Sequence, residues 1–127
     1  MEKFLSAFYI TISFESGGAF KDELFRNFFL PNAILIENYD GVYKQKTVDE
    51  HIEEFNSAIR NHPNLFTRGF HEMQTDCKMI ESGNCILVSS SYQKTSSRNN
   101  ETIVETGVNN MIVVLQDGEY KIASILW

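Results

Sequence analysis

Apolar residues recur with a helical period at the start of the chain. Phe4, Phe8 and Ile12 are four residues apart, so the spacing predicts a helix over 4–14. A secretory signal is the alternative for such an apolar segment. Glu2 precedes the segment and polar residues interrupt it, and neither feature is typical of a signal, so we expect a helix of the fold.

Two further helices and two short strands are predicted before residue 62. "KDELFRNFF" (21–29) has its apolar residues on one side, and "TVDEHIEEFNSAIRN" (47–61) has an apolar stripe. Thr47 and Glu50 match the capping box that begins many helices. Between the two helices, "AILIEN" and "VYKQ" are predicted as strands around a turn at "YDG".

The second half of the chain has the pattern of four strands in an antiparallel meander. Four apolar or alternating segments are separated by "ESGN", "SRNNE" and "QDGE", and Asp-Gly between apolar runs is a strong hairpin signal. Helices followed by a meander predict an α+β fold, with the helices on one face of the sheet. A length of 127 residues predicts one domain over 1–127.

The predicted turns assign side chains to the two faces of this sheet. Two-residue loops at 82–83, 99–100 and 117–118 would place Cys77 opposite Val88, and pointing alternates along each strand. The covered face is then apolar at one end and polar at the other, as a ligand pocket would be. Its predicted pocket residues are His71, Met73, Ser90, Tyr92, Asn109, Met111 and Ser124. One β-bulge would move part of this set to the opposite face, which otherwise carries Glu72 and Gln74.

Several segments together resemble a known superfamily over essentially the whole chain. "FFLPNAILIE", "ILVSSSYQ", "TGVNN" and "KIASILW", in this order, resemble the nuclear transport factor 2-like superfamily. They are similar to its SnoaL-like and ketosteroid-isomerase-like bacterial members of unknown function. The resemblance implies a cystatin-like fold, in which a strongly curved, mostly antiparallel sheet forms a cone-shaped cavity that three N-terminal helices close.

The resemblance also implies a homodimer through the outer face of the sheet. That face is too apolar in this register for a freely solvated surface. Its predicted interface residues are Leu87, Val108, Ile112 and Trp127.

Three functions remain open at the level of the sequence, because one fold hosts many activities. The first is binding of a small, partly apolar ligand in a cavity of roughly 300 Å³ or more. The second is a cofactor-free isomerase, dehydratase or hydrolase. For this enzyme the resemblance implies Glu37 as base and Tyr9 as oxyanion donor, and the residues alone offer His71 with Tyr92. The third is a protein–protein adaptor that uses the outer face.

Composition excludes other classes of function. The formal net charge is -6 and the basic residues are scattered, so we expect no nucleic-acid partner. No apolar run reaches the roughly 18 residues of a membrane span, and two cysteines suit a reducing cytoplasm. His51 and Glu54 lie one helical turn apart, but no further ligand has metal-site spacing, so neither a metal nor a cofactor is expected.

Overall fold

Three helices precede most of a six-stranded sheet in the computed structural model, which describes residues 1–127. The α+β prediction is therefore confirmed. The elements are α1 (Glu2–Ile12), α2 (Asp22–Arg26), β1 (Phe29–Tyr39), β2 (Val42–Lys46), α3 (Val48–Asn61), a 3-10 helix (Pro63–Leu65), β3 (His71–Ser82), β4 (Cys85–Arg98), β5 (Glu101–Gln116) and β6 (Glu119–Leu126). None of the helices is long and apolar enough to cross a membrane.

The bounds of α1 and α3 lie within two residues of the predicted ones, but α2 is shorter than expected. It ends at Arg26, and the chain enters β1 at Phe29. Pro31 lies between Phe29 and Ile34, where the pairing of β1 with β6 is irregular, so its missing N–H interrupts no regular ladder. At α3, the capping box of Thr47 and Glu50 is confirmed.

The sheet is mixed, with the strand order β2-β1-β6-β5-β4-β3. β1 runs parallel to β6, and every other pair is antiparallel. The predicted pairing of Arg98 with Glu101 is confirmed. The predicted β3–β4 register is wrong by two residues, since Cys77 pairs with Ser90. The turn begins at Gly83, whose φ of 61° suits the first central position of a tight hairpin turn.

A β-bulge in β3 reverses the orientation of the first residues of that strand. Gln74 pairs with Tyr92, whereas Asp76 pairs with Ser91, so Thr75 has no partner. Side chains before Thr75 therefore point to the face opposite the one that strict alternation predicts. Glu72 and Gln74 share the covered face with Tyr92, and Met73 is 60% exposed on the other side.

A second bulge, in β6, has the same effect on the last residues of the chain. Val113 pairs with Ile122, whereas Ile112 pairs with Ser124, so Ala123 is the extra residue. Ile125 is consequently buried on the covered face. The two bulges make the predicted face wrong for His71, Glu72, Met73, Gln74, Ser124, Ile125, Leu126 and Trp127.

Aromatic rings fill the space between the helices and the covered face. Phe8 of α1 packs against Phe25, Phe28 and Phe29, with ring centroids 5.7–6.1 Å apart. A second group joins Phe14 to α3 and to the start of β3, and consists of Phe14, Phe55, Phe66 and Phe70. These contacts hold α1 and α3 over the sheet and leave a space between them.

Tyr92 and Gly107 form a cross-strand pair in which the tyrosine ring lies over the glycine. A Cβ at position 107 would stand 2.5 Å from the Tyr92 hydroxyl oxygen and 2.6 Å from Cζ. Contacts that short cannot persist, so the absence of a side chain at 107 is what permits this position of the ring.

We expect Gly107→Ala to destabilise the protein by about 1–3 kcal/mol, because the added methyl group must displace the Tyr92 ring. Chemical denaturation of the wild type, Gly107→Ala, Tyr92→Leu and the double variant measures this. The double variant should lose less stability than the sum of the single losses, because the Tyr92→Leu change removes the ring with which the methyl group clashes. Additive losses would contradict the proposed ring contact.

Candidate functional site

The helices and the sheet form a partly open cavity of about 240 Å³. This is smaller than the roughly 300 Å³ expected for a ligand cavity. Eight of the 16 residues that line it carry Phe, Tyr or Trp rings. The polar and charged side chains in its wall are Glu37, His51, Glu72, Tyr92, Lys94 and Asn109. The cavity therefore combines an aromatic wall with a few polar groups.

Glu72 brings a carboxyl group into this apolar space. The bulge at Thr75 turns the Glu72 side chain inward. The Glu72 N–H donates to the Ser13 hydroxyl oxygen, and the Ser13 hydroxyl donates to the Glu72 carbonyl oxygen, so the backbone is fixed at this residue. Burial raises the pKa of Glu72 to about 7, and the positive charge of Lys94 offsets only part of this effect. No hydrogen bond to the carboxyl contributes to that shift, so the removal of water from around the group is its main cause.

His51 presents an imidazole from α3. Its ring centroid lies 5.1 Å from that of Trp127 and 5.7 Å from that of Phe25. Nδ1 is buried without a hydrogen-bond partner. Burial, assisted by the nearby charge of Lys46, lowers the pKa of His51 to about 4, so the ring is neutral at pH 7.

Glu37 belongs to an ion-pair cluster at another part of the wall. Lys46 is buried, and its Nζ lies 2.7 Å from Glu37 Oε2 and 2.6 Å from Glu54 Oε2. The same ammonium is 5.3 Å from the centroid of the Trp127 ring. Hydrogen bonds from Lys44 and Lys46 lower the pKa of Glu54 to about 2. Glu37 thus faces the cavity as an already paired carboxylate.

Tyr9 takes part in a buried chain of hydrogen bonds. Asn109 Nδ2 donates to the Tyr9 oxygen at 3.0 Å, and Ser90 Oγ donates to Gln74 Oε1 at 2.7 Å. The Tyr9 and Ser90 hydroxyls are 2.7 Å apart. Because the only proton of Ser90 goes to Gln74, Tyr9 donates to Ser90. Burial raises the pKa of Tyr9, and its single proton is already used.

The residues predicted from the sequence are only partly brought together. Tyr92, Asn109 and Glu37 line the cavity. Ser90 and Met111 are buried beneath the covered face but outside the lining. His71, Met73 and Ser124 are not in the lining, for the bulges turn them away. The predicted pairs Glu37 with Tyr9 and His71 with Tyr92 are thus not assembled as catalytic pairs.

Trp127 was expected on the outer face but forms part of the cavity wall, next to His51. Leu87, Val108 and Ile112 do lie on the outer face, each 41% exposed. Their part in an interface remains a prediction.

Two residues of the site were missed as cavity groups. Glu72 was placed on the outer face because its inward orientation depends on a bulge that the sequence does not mark. His51 was noted only as a weak metal ligand beside Glu54, although its position on the apolar stripe of α3 pointed toward the core. The structure brings together no group of three His, Cys, Asp or Glu side chains that could hold a metal ion.

Solved structures of similar shape place this geometry among known folds. A protein of unknown function with a cystatin-like fold from Nostoc punctiforme superposes with a TM-score of 0.69 at 10% identity, covering 98% of this chain and 84% of that one. A scytalone dehydratase-like protein from Novosphingobium aromaticivorans gives a TM-score of 0.73 at 14% identity, covering 98% and 78%.

The chain has the cystatin-like fold. A Mycobacterium tuberculosis protein of unknown function is also similar, with a TM-score of 0.71 at 16% identity. This chain spans 66% of that protein's length, and the alignment covers 98% of this chain. No family model and no curated protein matches the sequence. One fold can host many activities, so the cavity residues, rather than the fold, have to indicate function.

The inward carboxyl of Glu72 predicts a pH dependence of stability. Between pH 4.5 and about 7, the folded protein keeps the Glu72 proton that the unfolded chain has lost, so the free energy of unfolding falls as pH rises. This pKa difference corresponds to about 3 kcal/mol. Glu72→Gln has no carboxyl at this position, so its free energy of unfolding should not fall in this way. The difference in free energy of unfolding between Glu72→Gln and the wild type should therefore shift by about 3 kcal/mol in favour of the variant between about pH 4 and about pH 8.

Denaturant unfolding at several pH values measures this difference. Asp76→Asn is the matched control, because Asp76 is exposed on the same strand and its change removes the same charge. Parallel pH profiles for the wild type and Glu72→Gln would contradict the buried position of the carboxyl.

Proposed function

We propose that this protein binds a small, partly apolar ligand in the cavity between its helices and its sheet. The observation that carries the proposal is an aromatic cavity whose wall contains unpartnered polar groups, the Glu72 carboxyl and His51 Nδ1. A buried nitrogen such as His51 Nδ1 is normally hydrogen-bonded, so a ligand with a complementary group would supply its missing partner, and the Glu72 carboxyl would offer a second polar contact. A volume of about 240 Å³ suits a compact ligand with one ring system.

A structural neighbour supports this proposal by analogy. A protein from Catenulispora acidiphila with a TM-score of 0.74 and 14% identity was solved in complex with S-DNPA; the match covers 99% of this chain and 87% of that one. The ligand of that protein says nothing about the ligand of this one. It supports only the idea that a protein of this shape accommodates a small molecule.

The enzyme alternative loses the residue pairs that the sequence suggested. Tyr9 donates to Ser90, Glu37 is paired with Lys46, and His71 lies outside the cavity lining. A catalytic version would have to use Glu72, whose pKa of about 7 suits proton transfer at neutral pH. The cytoplasmic location and the absence of nucleic-acid partners and cofactors remain predictions.

We expect at least one class of small ligand to raise the melting temperature of the purified protein. The panel contains steroids, aromatic acids, aromatic amines, short fatty acids, phenols and amides. A ligand at a hundredfold excess over its Kd adds about 2.7 kcal/mol to stability. Asn109→Leu or Tyr92→Phe should abolish the shift, whereas Asn110→Leu, the same kind of change on the outer face, should preserve it.

No shift from any class would contradict the proposal and favour the adaptor function. Nuclear magnetic resonance spectra of each hit after incubation with the protein distinguish a carrier, which returns the compound unchanged, from an enzyme.

We also propose that a second copy of this chain covers the outer face of the sheet. A groove there is lined by Ile36, Ile80, Leu87, Ile112 and other residues, among which Lys78 is the only charged side chain. A chain with 17 acidic residues and a net charge of -6 has no carboxylate in this groove. Two copies can therefore approach here with little of the repulsion that the rest of the molecule would cause.

Leu87→Asp and Ile112→Asp should each convert a dimer to a monomer without unfolding it, because they would bury an unpaired charge in the contact. Analytical ultracentrifugation and circular dichroism measure assembly and folding. Val42→Asp, a change at an exposed apolar residue away from the groove, is the control. A monomeric wild type, or variants that still dimerise, would exclude this interface.

A further inference from the structure

Glu72 is the carboxylate in the cavity wall that has no cationic partner. No ion pair or hydrogen bond holds its side chain, although Lys94 lies opposite it on β4. Lys94 Nζ is instead 4.0 Å from Oε2 of the exposed residue Glu105, its partner on β5. The other acidic side chain in the wall, Glu37, is bonded to Lys46. An ionised Glu72 is therefore a half-buried carboxylate that Lys94 stabilises only through space, without a direct ion pair.

The other titratable groups around the cavity supply no ion-pair partner for Glu72 either. His51 of α3 lines the cavity, and it is neutral at pH 7 because its pKa is about 4. Tyr92 from β4 and Tyr9 from α1 keep their protons, because burial raises the pKa of each, that of Tyr92 to about 12. Since Lys94 contacts Glu105 and not Glu72, a ligand that makes a direct ion pair with Glu72 must carry the positive charge itself.

The neighbouring groups are acceptors and aromatic faces, which suit an ammonium group. Asn109 uses Nδ2 to bind Tyr9, which leaves its amide oxygen as an acceptor at the cavity wall. An ammonium also interacts favourably with the faces of aromatic rings. The Lys46 ammonium already makes such a cation–π contact at this wall, where its Nζ lies 5.3 Å from the centroid of the Trp127 ring.

From this arrangement we propose that the ligand is a small organic cation, a primary amine attached to one aromatic or cyclic hydrocarbon group. The ammonium would bind the Glu72 carboxylate and the Asn109 amide oxygen, and the hydrocarbon group would pack among the rings of Phe55, Phe70 and Trp127. This inference rests on the proposed binding function, and it specifies the chemical class of the ligand.

Isothermal titration calorimetry with matched probes tests the proposal. Benzylamine and phenethylamine are compared with the isosteric neutral probes benzyl alcohol and 2-phenylethanol, and with the anion phenylacetate. We expect each amine to bind the wild type at least about tenfold more tightly than its alcohol, because only the amine neutralises the buried carboxylate. Glu72→Gln should remove this preference, and Asp76→Asn should preserve it.

Proton release gives a second readout that a merely structural role of Glu72 would not produce. At pH 7 about half of the Glu72 carboxyls carry a proton, and an ammonium would expel it. Titrations in two buffers with different ionisation enthalpies should show release of about half a proton per bound amine. The Glu72→Gln variant should release none.

The outcomes separate this inference from the proposed function. Equal or tighter binding of the alcohols or of phenylacetate, or amine binding that Glu72→Gln does not weaken, would overturn the amine assignment and leave a small-ligand cavity. If the amines fail to bind and another class of the panel binds, the amine assignment is likewise overturned and the small-ligand cavity stands. Failure of every probe and every panel compound would overturn both.

Discussion

The unpaired residue Thr75 determines what kind of cavity this fold contains. With strict alternation along β3, His71 and Met73 would point inward, and the cavity would hold an imidazole and a thioether. The extra residue turns Glu72 and Gln74 inward instead. Gln74 completes the hydrogen-bond chain of Tyr9 and Ser90, and Glu72 places a carboxyl among the aromatic rings of the cavity. A change of one residue in strand pairing thus changes the chemistry of the site.

The ion-pair cluster around Lys46 complements this carboxyl. A buried ammonium is costly unless it is paired, and here two carboxylates and the Trp127 ring surround it. Its positive charge also helps to keep His51 neutral. Since Lys46 ends β2, Glu54 belongs to α3 and Trp127 follows β6, the cluster joins three separate parts of the chain at one wall of the cavity.

Much of the fold could be predicted from local chemistry, and much of the site could not. The capping box at Thr47, the turn after Arg98 and the amphipathic pattern of α3 each depend on residues close together in sequence. Bulges depend on which residues pair between strands, and neither Thr75 nor Ala123 has a side chain that marks one. The same limit explains why Trp127 was placed outside and Glu72 was overlooked. Asn109 and Tyr92 were placed correctly because the middle hairpin is regular.

The contact of Tyr92 with Gly107 has a consequence for how this cavity can change in evolution. Position 107 cannot gain a side chain while Tyr92 is kept, because any side chain there competes with the tyrosine ring for the same volume. A lineage that acquires a larger residue at 107 must also reduce or redirect residue 92, and would thereby lose a hydroxyl from the cavity wall. We therefore expect a side chain at 107 to occur only together with a changed residue 92 in proteins that keep this strand pairing.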